Sequence, residues 1–157
     1  MANFVGDYNS KMDARGRVVM PSSLKKQLSS ASETTFVIKK DIFEKCLLLY
    51  PMKEWERQNE IIRSKVNPYN KEHNQFLRGF YRGTAQIELD ANNRLLIPKR
   101  LTDLVGIDRE LVFAGQNGRI EIWASDLYER MEPNEDDFAA LAEKIMGGND
   151  SPKNETE

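Results

Sequence analysis

The feature that most constrains this chain is an internal repeat. Residues 13–24 align with residues 90–101 at an offset of 77. Five of those twelve positions are identical: Asp13/Asp90, Ala14/Ala91, Arg17/Arg94, Pro21/Pro98 and Leu24/Leu101. Three more are aliphatic in both copies. The same offset pairs Gly6 with Gly83, Phe4 with Tyr81, Leu28 with Val105 and Phe36 with Phe113. Further on the offset falls to 73, matching Tyr50 with Trp123 and Trp55 with Tyr128. The first copy is therefore four residues longer, a difference readily absorbed by a turn between two strands. A unit this short cannot bury an apolar strand by itself, so the two copies are expected to share one core.

Each copy reads the same way locally. Val18-Val19-Met20 and Leu95-Leu96-Ile97 are short apolar runs, suited to a strand buried on both faces. Before each run lies a turn. Gly16 supplies a positive φ there, and Asn93 is the non-glycine type that best tolerates one. Pro21 and Pro98 end the strands and suit a helix start. Short helices are expected over residues 22–28 and 99–105, the second stopped by Gly106. A hairpin follows each: residues 35–39 with 46–50, and residues 111–114 with 120–123, the latter turning at Asn117-Gly118. Between the copies, residues 52–66 place Met52, Trp55, Ile62 and Val66 near one helical face, and a second helix is expected from Pro68 to about Arg78. Near the end, Asn134 with Asp137 reads as a capping box leading the stripe Phe138, Leu141 and Ile145. Gly147-Gly148 closes that helix, and the last nine residues read as a disordered polar end. The expected division is a first motif over 4–55, a helical connector over 56–79, a second motif over 81–128 and an acidic end over 132–157.

Composition excludes several classes. Among 157 residues, 39% are hydrophobic and 31% charged, which excludes disorder throughout. No apolar run approaches the roughly 20 residues of a membrane helix. Residues 1–7 have neither a basic region nor a hydrophobic stretch, so no secretory signal is expected. One cysteine excludes an intrachain disulfide framework and suits a reducing compartment. With one histidine beside it, neither a zinc site nor a His-based triad is expected. The net charge of −2 is unevenly placed. Residues 131–157 carry two basic against eight acidic groups, net −6, and residues 1–130 carry 21 against 17, net +4. A basic body with an acidic end flags a nucleic-acid partner or an interaction tail, although from charge alone the commoner case is a solvated tail that keeps a chain soluble.

The order strand, Asp-x-x-x-Arg turn, apolar strand, Pro, short helix, hairpin resembles the swapped-hairpin DNA-binding module of the SpoVT-AbrB superfamily. Two copies in a chain of this length, with Asp13/Arg17 and Asp90/Arg94, closely resemble the MraZ family of transcriptional regulators. Cys46–Pro51 followed by Trp55 is also similar to that family. The resemblance spans roughly residues 4–146. It implies a mainly β fold with α-helices (α+β), in which the hairpins of the two motifs interlock into a pseudo-twofold β-barrel with helices outside. It also implies a homo-oligomeric ring and a cytoplasmic, nucleoid-associated repressor. Such a regulator binds short repeats in double-stranded DNA upstream of its own division and cell-wall gene cluster. No cofactor, membrane or small-molecule substrate is expected, and no enzymatic activity.

Duplex DNA requires cations at phosphate spacing, and arginine also reads guanine edges. Residues 10–30 hold Lys11, Arg15, Arg17, Lys25 and Lys26 against Asp13, net +4. Residues 87–107 hold Arg94, Lys99 and Arg100 against Glu88, Asp90 and Asp103, net zero. The first copy is thus the stronger candidate, with Arg15 at its tip where the second copy has Asn92. Lys99 and Arg100 can restore part of the field. Asp13, Gly16, Asp90 and Asn93 are expected to shape the turns. The Asp/Arg pairs admit an ion-pair role, and Arg17 and Arg94 admit both roles. Cys46 reads as a small core residue, His73 as a solvated surface residue, and Tyr50, Trp55, Trp123 and Tyr128 as packing residues. The competing classes are an antitoxin-like module, a self-processing enzyme and a ring-forming scaffold. The enzyme would need a Gly-Ser cleavage pair, which the chain lacks.

Overall fold

A computed structural model describes residues 2–30 and 32–147. The first copy runs β1 (Asp7–Lys11), β2 (Arg17–Val19), α1 (Ser22–Lys26), β3 (Thr35–Lys40), β4 (Leu47–Pro51) and α2 (Met52–Lys65). After α3 (Lys71–Tyr81) the second copy runs β5 (Ala85–Glu88), β6 (Arg94–Leu96), α4 (Lys99–Leu104), β7 (Glu110–Gln116), β8 (Arg119–Ala124) and α5 (Ser125–Arg130). The helix α6 (Glu135–Met146) follows. The class is mixed α+β with antiparallel sheets. One sheet has the order β1-β7-β8-β4-β3-β5, and the other pairs β2 with β6.

Among the described residues, the ladders that stay within a copy are the hairpins β3-β4 and β7-β8. Every other ladder crosses between copies: β1 with β7, β5 with β3, β4 with β8 and β2 with β6. Each copy thus supplies the backbone partners that the other's strands lack, which satisfies groups that would be costly to bury unpaired.

The registers obey a twofold. Val18 opposes Leu95, and Arg17 opposite Leu96 mirrors Val19 opposite Arg94. Tyr8 opposite Phe113 mirrors Ala85 opposite Ile38. This makes Phe113 the counterpart of Ile38 and Leu111 that of Phe36, so the alignment of Phe36 with Phe113 is two residues out. The four-residue difference is split, two residues before β3 and two in the β3-β4 loop. Sequence similarity follows the aromatic match, and because a two-residue slip keeps every side chain on its face, alternation alone does not expose it.

Two further expectations change. Among the described residues the ladders form two sheets and no continuously paired barrel. β2 and β6 are only three residues long. They join the ends of β1 and β5 through the Met12–Val18 bridge and through the bonds from the Asp13 N–H to the Arg17 carbonyl, 2.8 Å, and from the Asp90 N–H to the Arg94 carbonyl, 3.0 Å. Nor are the apolar runs buried on both faces. Val18, Met20, Leu95 and Ile97 are buried, but Val19 is 53% and Leu96 57% exposed. Alternation along a strand turns the middle residue of each run outward.

The core gathers Val18, Leu24, Phe36, Ile38, Leu95, Leu101, Leu111 and Phe113 with their neighbours between the two sheets. Each such side chain contributes about 1.5–3 kcal/mol on burial. On the large sheet's other face, Tyr50 and Phe80 pack around Trp55 at centroid separations of 5.3 and 6.0 Å. Lys39 is buried there, its ammonium 4.3 Å over the Phe80 ring, and desolvation lowers its pKa. Burial pushes the Cys46 thiol up to about 12, as suits a core residue. In α2 the buried side chain is Glu54. Burial raises its pKa, but hydrogen bonds from Arg57 and Gln58 outweigh this and hold the carboxyl low.

α3 starts at Lys71, three residues later than the sequence suggests, because the Asn70 side chain accepts from the His73 N–H and caps it. His73 is half-buried, not freely solvated, and its Nδ1 accepts from the Asn67 N–H at 2.8 Å. α1 ends at Lys26 and α4 at Leu104, shorter than expected. Asn134 caps α6 by accepting from the Asp136 and Asp137 N–H groups, one half of the expected capping box. The expected polar end lies outside the described residues. Among the described residues no helix is long and apolar enough to cross a membrane.

Candidate nucleic-acid interface

The two Asp-x-x-x-Arg turns are near-identical structures. Asp13 Oδ1 accepts from the N–H groups of Arg15 and Arg17, each at 2.9 Å. Its Oδ2 accepts from Arg17 Nε at 2.9 Å. In the second turn Asp90 Oδ1 accepts from Asn92 and Arg94 N–H at 2.8 and 2.9 Å, and Oδ2 from Arg94 Nε at 2.9 Å. The Asp13 carboxyl is held below its ordinary range, first by the Arg17 N–H, and Asp90 likewise by that of Arg94. Gly16 at φ 84° and Asn93 at φ 60° supply the left-handed residue that closes each turn.

Each turn is also tied to the other copy. The Ile97 N–H donates to the Gly16 carbonyl at 3.0 Å, and the Met20 N–H to the Asn93 carbonyl at 2.9 Å. The bond pattern has a chemical consequence. Of its arginine's guanidinium each aspartate engages only Nε, and among the described residues the two terminal nitrogens make no hydrogen bond within the chain. The Asp/Arg pair therefore fixes the turn and holds a guanidinium fork in one direction.

The antiparallel pairing of β2 with β6 redistributes the charges that the sequence grouped by copy. Arg15 lines an open groove with Leu96, Lys99, Asp103 and Arg109, so the first turn meets the second copy's helix α4. Lys25 and Lys26 line a different groove, with Val19 and Asn93. They lie beside the second turn, the one whose tip is uncharged, and are not brought together with Arg15. Lys11 sits at the exposed end of β1, opposite Glu110. Lys99 is engaged by Asp103 at 3.1 Å and Arg100 by the Gly83 carbonyl at 3.0 Å. Among the described residues the side chains of Lys11, Arg15, Lys25 and Lys26 have no such partner. Arg109, which no sequence motif singles out, lines the same groove as Arg15. It is placed by the bond from the Met12 N–H to its carbonyl, 2.8 Å, between residues almost a hundred positions apart. No local signal marks it. Among the described residues no cluster of His, Cys, Asp and Glu could hold a metal ion.

Residues 3–79 and 80–147 each match one family model, described as "MraZ protein, putative antitoxin-like". The chain is 44% identical to the transcriptional regulator MraZ of Christiangramia forsetii, over 96% of this chain and 97% of that protein. It is 44% identical to the transcriptional regulator MraZ of Flavobacterium psychrophilum over 94% of each chain. The protein of the same name from Bacteroides fragilis is 37% identical over 93% of this chain and 92% of its own.

Proposed function

The chain belongs to the MraZ family, and we propose that it is a DNA-binding transcriptional regulator that docks its two Asp-x-x-x-Arg turns on duplex DNA. The family is not enzymatic. The observation that supports this reading best is the repeated geometry of the turns, in which a carboxylate orients an arginine and leaves its fork unbonded. Guanine offers two acceptors in the major groove that such a fork matches. In this reading Arg17 and Arg94 read bases. Arg15 adds charge at one tip, while Lys25 and Lys26 supply phosphate contacts beside the other. Lys11, Lys99 and Arg100 lie at the margin, the last two already engaged within the chain.

The finer proposal is a cytoplasmic, nucleoid-associated repressor. It occludes short repeats upstream of its own division and cell-wall gene cluster. The two sheets act as one pseudo-barrel unit, and several chains form a ring. The body's charge of +4 supports the need for assembly, because few phosphates are neutralised per chain. A ring engaging several repeats gains affinity through effective concentration.

A gel-shift titration on the fragment upstream of the gene, across a salt series, tests the reading. Binding should weaken with salt, and Arg15→Ala should reduce affinity with the thermal melt unchanged. Equal affinity for that fragment and for a scrambled duplex would overturn sequence-specific regulation.

A further inference from the structure

The β2/β6 ribbon carries an arrangement that the arginine reading does not use. On its inner face Val18 and Leu95 are buried at 1% and 0% exposure. Alternation therefore places Arg17, Val19, Arg94 and Leu96 together on the outer face. Their register makes a four-residue tile, with Arg17 opposite Leu96 and Val19 opposite Arg94. The arginines occupy one diagonal and the aliphatic residues the other. Val19 lines the groove of the second turn and Leu96 that of the first. Each groove also takes in part of one of the two turns.

These aliphatic side chains contribute little to folding where they stand, because more than half of each remains in water. A single exposed aliphatic residue is unremarkable. Here two of them occupy twofold-related positions, each directly across the strand from an arginine. The major groove presents one apolar group at its base edges, the C5 methyl of thymine, and it admits a two-stranded β-ribbon. Diagonal neighbours in a ribbon lie about 7–8 Å apart. That span is about two base-pair steps at roughly 3.4 Å each.

We propose that Val19 and Leu96 are specificity residues that read thymine methyl groups on the two strands of the bound duplex, about two steps apart, while Arg17 and Arg94 read the guanines beside them. This rests on the DNA-binding reading above and adds to it the identity of the bases. A lysine or arginine at these two positions would add affinity for any duplex. An aliphatic residue adds affinity only where a methyl is present.

The test compares two versions of the upstream fragment, one synthesised with thymine and one with deoxyuridine at every thymine position. The only chemical change is loss of the methyl groups. The wild-type chain should bind the deoxyuridine fragment several-fold more weakly, about fourfold for each methyl buried. The Val19→Ala/Leu96→Ala variant should bind the thymine fragment as weakly as the wild type binds deoxyuridine, and should not distinguish the two. Both positions are exposed, so the variant's thermal melt should match the wild type's. Equal wild-type affinity for the two fragments overturns the inference. So does a double variant that stays as sensitive to the methyl as the wild type, since that sensitivity would come from DNA shape or other residues. If Arg17→Ala abolishes binding under either result, DNA recognition stands and only the methyl readout falls. Absence of specific binding by the wild type to either fragment overturns both.

Discussion

The two Asp-x-x-x-Arg turns have the same hydrogen bonds to within 0.1 Å but differ in two of their three central residues. The aspartate, the arginine and a residue able to adopt positive φ are held in common. The tip is not, with Arg15 in one and Asn92 in the other. The tip makes only a main-chain bond to the aspartate, so its side chain is free to vary. The difference separates two tasks. Shape resides in the Asp/Arg lock, and charge is adjustable at the tip and in the helix that the other copy brings alongside. The turn with the neutral tip has Lys25 and Lys26 beside it, and the turn with Arg15 has an α4 whose Lys99 is already engaged by Asp103.

The largest effect should come from removing what the turns share. An arginine fork on guanine contributes about 1–3 kcal/mol of discrimination. The Arg17→Ala/Arg94→Ala variant should lose on the order of a hundredfold or more in affinity for the upstream fragment, measured by fluorescence anisotropy. A loss of only a few-fold would reduce these arginines to turn locks. Exchanging what differs should do less. Arg15→Asn should flatten the log–log salt slope by about 0.9, the value of one phosphate contact, and Asn92→Arg should steepen it by about as much. If Asn92→Arg changes nothing, the second tip does not approach the duplex and the two turns are not functionally equivalent.

What could be read from the sequence was what is local. The turns, the strand ends at Pro21 and Pro98 and the Asn-Gly hairpin are set by residues within a few positions of one another, and the structure agrees with them. Interlocking of the copies was implied by family resemblance and appears in the cross-copy ladders. What could not be read depends on register between distant strands. Closeness in sequence groups Lys25 and Lys26 with Arg15. The antiparallel β2–β6 pair carries them to the opposite turn. Arg109 reaches its groove only because β1 pairs with β7. A three-residue apolar run hides its alternation, so by sequence Val19 and Leu96 look like core residues. Only the partner strand reveals which side is buried. Glu54 in the body of the protein is a similar case, since its buried site is built from Arg57, Gln58 and the Gly118 turn, whose added Cβ would lie 2.7 Å from a Glu54 oxygen.

The left-handed positions allow a smaller test that concerns shape alone. Gly16→Ala forces a Cβ into φ 84° and should destabilise by about 1–2 kcal/mol in urea unfolding. Asn93→Gly removes a side chain from a conformation glycine adopts freely and should change stability by only a few tenths of a kcal/mol. Equal penalties at the two sites would mean that the backbone angle is not what selects these residues.

The smallest effect should be the acid dependence of the locks, and it should be the same in both turns. Asp13 and Asp90 are held below the ordinary 3.8 mainly by the N–H groups of Arg17 and Arg94, which bond the ionised carboxylate. A carboxyl whose folded pKa is depressed contributes its full stabilisation above the unfolded value. It loses that contribution as pH falls through the folded pKa. Asparagine keeps one acceptor for the N–H groups, but its amide cannot accept from Arg Nε. The gap in urea midpoint between wild type and Asp13→Asn should therefore be constant from neutral pH down to about pH 5 and close progressively below about pH 4. Asp90→Asn should trace the same profile. Both carboxylates are solvent-exposed, so the gap is small and should shrink further in high salt. A gap that persists unchanged at pH 3 would show that the amide's altered shape, not the lost charge, is responsible. A profile confined to one turn would show that the equal distances conceal unequal locks.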